Sequence, residues 1–188
     1  MWRLLFLRLH LFAALCLAPF CLAAPSAAQS AQILRESSVK AAFLFKFASF
    51  VEWPATAFGR PDAPLVIGIA GDEAVAADLE QLAASRPLGS QPVKVVRISG
   101  TDVPAGLHVL FLGQQREPRL REAIAAATGP VLVVTDQAGA LRLGSLINFS
   151  TAAGRVRFSV SLTSAEARSL KLSSRLLAVA QDVEGNTP

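Results

Sequence analysis

The chain has 188 residues, with 18 Lys+Arg, 14 Asp+Glu and 2 His for a formal charge of +4, and it is 52% hydrophobic and 17% charged. That balance excludes a disordered or collagen-like chain, while a mean hydropathy of +0.44 raises the question of a membrane segment. Two cysteines, one methionine and no tyrosine narrow the available chemistry.

Residues 1–28 read as a secretory signal peptide. Arg3 and Arg8 form a positive start, Leu11 to Ala18 is an apolar run, and Pro19 ends it. Cleavage after Ala24 leaves Pro25 first, which signal peptidase disfavours, so Ser26-Ala27-Ala28 is the better site and Gln29 the new N-terminus. The apolar run is too short to serve as a membrane anchor. Cys16 follows Leu15 and Cys21 follows Phe20, and neither is the small residue that precedes a lipoprotein cysteine. Processing removes both cysteines, Trp2 and His10, so the exported chain keeps Trp53 and His108 as its single tryptophan and histidine. No disulfide is then available in an oxidising compartment. The slight positive excess gives no footing for nucleic acid.

Residues 29–36 read as a loose tail, residues 37–184 as one domain and residues 185–188 as a C-terminal tail. Ser37 or Ser38 caps a helix running to about Glu52 and stopped by Pro54. Val39, Phe43, Phe47 and Phe50 follow helical spacing, with Leu44 and Val51 widening the stripe. Phe45 falls outside it, nearer Ser49 and Glu52. Leu65 to Ala70 is a buried strand. Gly71-Asp72-Glu73 turns into a helix from Ala74 to Ala84, and Pro92 to Ile98 forms a second strand. His108 to Leu112 is a third strand, Glu117 to Thr128 a helix, Val131 to Val134 a fourth strand, and Gln137 to Leu141 a short helix.

The last third changes character. Leu146 to Phe149 and Arg155 to Leu162 flank Ser150 to Gly154, which signals a hairpin. Arg155, Arg157, Ser159 and Ser161 take one face of its second strand, while Val156, Phe158, Val160 and Leu162 take the other. Thr163 to Glu166 fits a capping box, and Ser173 or Ser174 caps a last helix through Val183. The expected fold is α/β: a single three-layer domain, its mostly parallel sheet flanked by helices, ending in an antiparallel hairpin and short helices.

Catalytic chemistry is scarce. There is no G-x-S-x-G elbow, and the exported chain has no cysteine nucleophile. His108 opens an apolar strand, where a structural histidine is favoured. No His/Cys cluster offers a metal site, and Asp72, Glu73 and Asp136 have no spacing that dictates one. Neither a metal, a cofactor nor a disulfide is expected. Gly68-Ile69-Ala70-Gly71-Asp72 does not match G-x-G-x-x-G, but Gly71 and Asp136 fall at strand ends, where open α/β sheets hold ligands. Gly71, Asp136, Lys171 and Ser173 are the candidates for a small-ligand crevice. Arg155 and Arg157 project together, and Arg116, Arg119 and Arg121 cluster at a helix start; such arginines are either a solvated face or a carboxylate-binding patch. Phe45, Lys46 and Ser49 are the candidates on the first helix, with Phe45 the exposed aromatic.

Val39-Lys40-Ala41-Ala42-Phe43-Leu44-Phe45-Lys46-Phe47, leading to Phe50-Val51-Glu52-Trp53-Pro54, resembles the opening signature of the YfiR-like family of bacterial periplasmic proteins. His108-Val109-Leu110-Phe111, Leu146-Ile147-Asn148-Phe149, Gly154-Arg155-Val156-Arg157-Phe158 and Leu170-Lys171-Leu172-Ser173-Ser174-Arg175-Leu176-Leu177 resemble its later segments in order and spacing. The resemblance covers Val39 to Val183. It implies a non-enzymatic periplasmic regulator that binds the periplasmic domain of an inner-membrane diguanylate cyclase, restraining cyclic-di-GMP and biofilm formation; a sensor kinase is the other partner class. It further implies a cysteine pair, here replaced by Gly68 and Leu107, so that redox gating through that bond is lost. The family's asparagine after the hairpin strand is here Ser161. A homodimer and a small-molecule ligand stay open, a periplasmic ligand sensor or carrier is the alternative function, and an enzyme of unrecognised type is the third reading.

Overall fold

The computed structural model describes residues 27–60, 62–89, 91–100 and 102–185. Helix α1 (Ala27–Phe47) passes through one 3-10 turn, Ala48–Phe50, into the short strand β1 (Val51–Glu52). There follow β2 (Leu65–Ala70), α2 (Glu73–Ser85), β3 (Val93–Ile98), β4 (Val109–Leu112), α3 (Glu117–Ala126) and β5 (Leu132–Thr135). A 3-10 segment, Ala140–Leu143, leads to β6 (Ile147–Ala152), β7 (Arg155–Ser161), α4 (Leu162–Ala167), β8 (Lys171–Leu172), α5 (Ser174–Leu177) and β9 (Asp182–Glu184).

Seven strands form one sheet in the order β3-β2-β4-β5-β6-β7-β9. The first five run parallel, β7 is antiparallel to β6, and β9 is parallel to β7. β1 and β8 make a separate antiparallel ribbon, with Glu52 opposite Lys171. The crossovers β2-α2-β3 and β4-α3-β5 lead in opposite directions along the sheet. Right-handed crossovers therefore place α2 and α3 on opposite faces, which gives the three layers. All of β4 and β5 is buried, as an uninterrupted apolar run covered on both faces must be. β3 is an edge strand, and its Lys94 and Arg97 put charge on that edge.

α1 lies against the hairpin face formed by β6 and β7. Phe47 stacks on Phe149 at 5.7 Å between ring centroids and meets Phe158 edge-on at 4.9 Å, and Phe43 lies 5.5 Å from Phe158. These rings join Phe111 of β4 in one cluster, so the expected apolar face of β7 is the one the first helix covers.

Several local expectations are corrected. Helix α1 already runs from Ala27, so residues 29–36 are helical, not a loose tail; residues 1–26 of the expected leader lie outside the described residues. The helix stops at Phe47 and not at Glu52, because Val51 and Glu52 pair with β8. The hairpin link has two residues, Ala153 and Gly154, with φ of 50° and 71°, the type I′ geometry that suits strand twist. The cap of α4 is Ser161, whose hydroxyl accepts from Ser164 N–H, two residues earlier than the expected box. Ser173 caps α5, but that helix ends at Leu177 and Val183 belongs to β9. The i, i+1, i+4 pattern of Leu176, Leu177 and Ala180 mimics a longer helix because a strand as short as β9 has no period of its own.

His108 is structural. Its Nδ1 accepts from Val66 N–H at 3.1 Å, and Nε2 lies 3.1 Å from the Ala57 carbonyl, so the partners assign the proton to Nε2. Phe58 stacks on the ring at 4.3 Å. Burial pushes its pKa below the ordinary histidine value.

Candidate functional site

The order β3-β2-β4-β5-β6 is the doubly wound 2-1-3-4-5 arrangement, whose switch point lies between the carboxyl ends of β2 and β4. Gly71 follows β2 with φ of +80°, a conformation that L side chains rarely adopt. Gly113 follows β4 so closely that a Cβ there would stand 2.7 Å from the Gly71 carbonyl oxygen. Asp72 caps α2 through Val75 N–H at 3.0 Å, and Asp136 leaves the end of β5. Gly71, Asp72 and Asp136, together with Gln114, Ala74, Ser37, Glu36 and Lys40, line a crevice of about 260 Å³.

That crevice is plugged by α1. The Lys40 side chain is 5% exposed, and its Nζ bonds Asp136 Oδ2 at 2.5 Å and Glu36 Oε1 at 2.6 Å. Burial alone would favour a neutral lysine, yet the hydrogen bonds that its ammonium donates to the two carboxylates hold the Lys40 pKa above its ordinary value. Asp136 is pushed up by burial and by the Glu36 and Asp72 charges, against the pull of Lys40. Glu36 is held low, first by its hydrogen bond from Lys40, with Thr151 donating a second. Ser37 and Ser38 hydroxyls donate to Asp78 of α2 at 2.6 and 3.0 Å, tying the same helix turn down. Below the crevice, Thr135 donates to Asn148 Oδ1 at 2.7 Å, which also accepts from Gln137 N–H. This joins the ends of β5 and β6.

The four ligand candidates divide. Gly71 and Asp136 meet in the crevice, whereas Lys171 sits in the β1–β8 ribbon and Ser173 is occupied as the cap of α5. Lys40, Glu36 and Asn148 escaped sequence reading, although the Glu36–Lys40 spacing and the place of Lys40 four residues before Leu44 carried a signal. A lysine in register with buried leucine is ordinarily placed outward. Among the described residues no group of three His, Cys, Asp or Glu is placed to hold a metal ion.

The first-helix candidates are also sorted. Phe45, expected outside, is only 3% exposed, and the Arg86 guanidinium lies 5.4 Å over its ring. The reason is that α1 packs on α2 as well as on the hairpin, so its buried arc is wider than one stripe. Val39, expected inside, is 41% exposed. Lys46 and Ser49 are exposed, and Lys46 shares with Val39, Ala42 and Phe43 a groove of about 320 Å³.

Arg155 and Arg157 are exposed on the uncovered face of β7, and neither has a carboxylate partner among the described residues. They line a groove of about 510 Å³ with Ala152, Ala153, Val179, Ala180 and Gln181. Val179 is 64% exposed. Arg121, by contrast, pairs with Glu117 at 2.9 Å. Gly68 and Leu107 face one another: a Cβ on Gly68 would stand 2.8 Å from Leu107 Cδ1. The leucine side chain thus fills the space over the glycine at the two positions where the resemblance implies a cysteine pair.

A doubly wound α/β domain whose switch-point crevice is filled by its own first helix is the class these features define. The chain belongs to the YfiR/HmsC-like family, whose model matches residues 37–181. Among solved structures it is similar in fold to a conserved domain protein from Vibrio cholerae O1 biovar El Tor strain N16961, with a TM-score of 0.50 and 12% identity. That match covers 79% of this chain, which spans 60% of the solved chain. No curated protein matches.

Proposed function

We propose that this chain is an exported regulatory protein that binds the periplasmic domain of a membrane-bound diguanylate cyclase and represses it. The observation that carries the reading is membership of the YfiR/HmsC-like family over nearly the whole described domain. The leader-like start supports export, and no helix among the described residues is long and apolar enough to cross a membrane. Repression needs no chemistry of the regulator's own. A protein that binds one state of a bistable receptor more tightly shifts its population toward that state.

The contact surface consists of Arg155 and Arg157 on β7, with Lys46 and Ser49 beside the groove of α1. Phe45 leaves this set because it is buried. Deleting the gene raises cyclic-di-GMP while the partner cyclase is intact, and removing that cyclase as well cancels the rise. An unchanged level in the single deletion strain would overturn the reading.

A second reading, a periplasmic ligand sensor, rests on the crevice at the switch point. Any ligand there displaces Lys40 from Asp136. Thermal-shift screening of small periplasmic metabolites tests it, and stabilisation that survives Asp136→Asn excludes this site.

A further inference from the structure

The sheet does not end evenly at β9. β9 pairs with β7 only at Ser159, Val160 and Ser161. The half of β7 nearest the hairpin turn has β6 on one side and no strand on the other among the described residues. In a two-residue hairpin the residues flanking the turn, Ala152 and Arg155, exchange hydrogen bonds. Arg155, Arg157 and Ser159 therefore turn their backbone groups toward β6. Val156 and Phe158 turn theirs outward, as the Gln181 N–H donating to the Phe158 carbonyl at 2.8 Å demonstrates. The N–H and C=O of Val156 and the N–H of Phe158 have no partner among the described residues. Beside them lies the 510 Å³ groove, bounded on its far side by Val179, Ala180 and Gln181.

We infer that this open half of β7 is a docking edge that takes an extended acidic segment of a protein partner as an added strand. The inference rests on the proposed regulatory reading and names the partner's chemistry at the arginine pair. Three features converge there. An added strand satisfies the outward backbone groups of Val156 and Phe158. Alternate side chains on that strand meet Arg155 and Arg157 on one face and half-buried Val156 on the other, so the fitting sequence alternates acidic and apolar. The two guanidinium groups have no carboxylate of their own among the described residues, and a facing carboxylate supplies it. A second copy of this chain fits poorly, because edge pairing of two β7 strands sets arginine against arginine.

The test uses the protein purified after export and a capped pentapeptide of alternating valine and glutamate as the probe, with a valine–lysine peptide as control. Hydrogen exchange resolved by residue, together with a binding titration, reads the result. The expected outcome is slowed exchange at the Val156 and Phe158 amides on adding the glutamate peptide, with no such slowing by the lysine peptide. Arg155→Ala with Arg157→Ala weakens binding roughly tenfold, and Arg155→Glu with Arg157→Glu transfers binding to the lysine peptide. Unchanged exchange at both amides, or equal binding of the two peptides to the unaltered protein, overturns the inference. So does protection of these amides that rises with protein concentration alone, which assigns the edge to a second copy. A gene deletion that leaves cyclic-di-GMP unchanged while the peptide still protects the edge fails the regulatory reading and not this one.

Discussion

Replacing Lys40 by methionine tests whether its ion pairs hold α1 over the crevice. Methionine keeps most of the stem volume and removes the ammonium that bonds Asp136 at 2.5 Å and Glu36 at 2.6 Å. The Asp136 side chain is only 15% exposed, so without its cation it either stays charged in a poor solvent or takes up a proton. Breaking a buried pair from one side costs about 3–5 kcal/mol. Taking up a proton instead means driving the carboxyl pKa further up, which costs stability in its turn. A domain of this size loses roughly 2–4 °C of Tm per kcal/mol, so the expected fall is roughly 6–20 °C.

The sign follows from the protons. Asp136 already has a raised pKa in the folded state, and loss of Lys40 raises it further. The stability that a raised carboxyl pKa contributes is present at low pH and lost as pH rises through the folded value. The deficit of Lys40→Met against the natural chain is therefore largest at pH 7 and shrinks toward pH 4. Urea unfolding of the natural chain, Lys40→Met, Asp136→Asn and the double variant measures it. The double variant lies above the sum of the singles, since removing both partners leaves less uncompensated charge. A Lys40→Met deficit below about 1 kcal/mol at pH 7, unchanged on acidification, refutes this account of the plug.

The other perturbations test packing and backbone. Gly68→Ala drives a methyl to 2.7 Å from Ile98 Cδ1 and 2.8 Å from Leu107 Cδ1, costing about 1–3 kcal/mol; Leu107→Ala costs about 2–5 kcal/mol alone, and chemical denaturation of the pair shows less than additive loss. Ala153 holds a φ of 50° that asparagine tolerates better, so Ala153→Asn stabilises by about 0.5–1 kcal/mol in thermal unfolding. His108 has a lowered folded pKa, so its contribution is present above about pH 6.5, the unfolded value, and lost as pH falls through the folded value. His108→Ala removes that part of the pH dependence. It also leaves Val66 N–H and the Ala57 carbonyl unpaired, at about 1–3 kcal/mol each if both stay dry.

The central sheet was legible because β2, β4 and β5 are apolar runs too short for helices and bounded by glycine, proline or aspartate. The face assignment on β7 was legible for a related reason: period-2 alternation fixes which side is dry. What sequence pattern did not reveal lies where one element meets two others. α1 touches both α2 and the hairpin, so Phe45 is covered and Val39 is not, and a single-stripe reading misplaces both. Lys40 was hidden by the same logic, since its partners Glu36 and Asp136 are four and ninety-six residues away and only the fold brings the second into range. β9 and the open edge it leaves depend on three residues of pairing that no local periodicity announces.

As proposed, the exported protein acts from outside the inner membrane on a cyclase whose product accumulates inside. Spheroplasts of the gene-deletion strain expose that outer face, and cyclic-di-GMP within them is measured after adding the purified protein. A fall is expected with the natural chain and little or none with Arg155→Glu and Arg157→Glu combined, both proteins being equally folded. An internal level unmoved by saturating natural protein contradicts it.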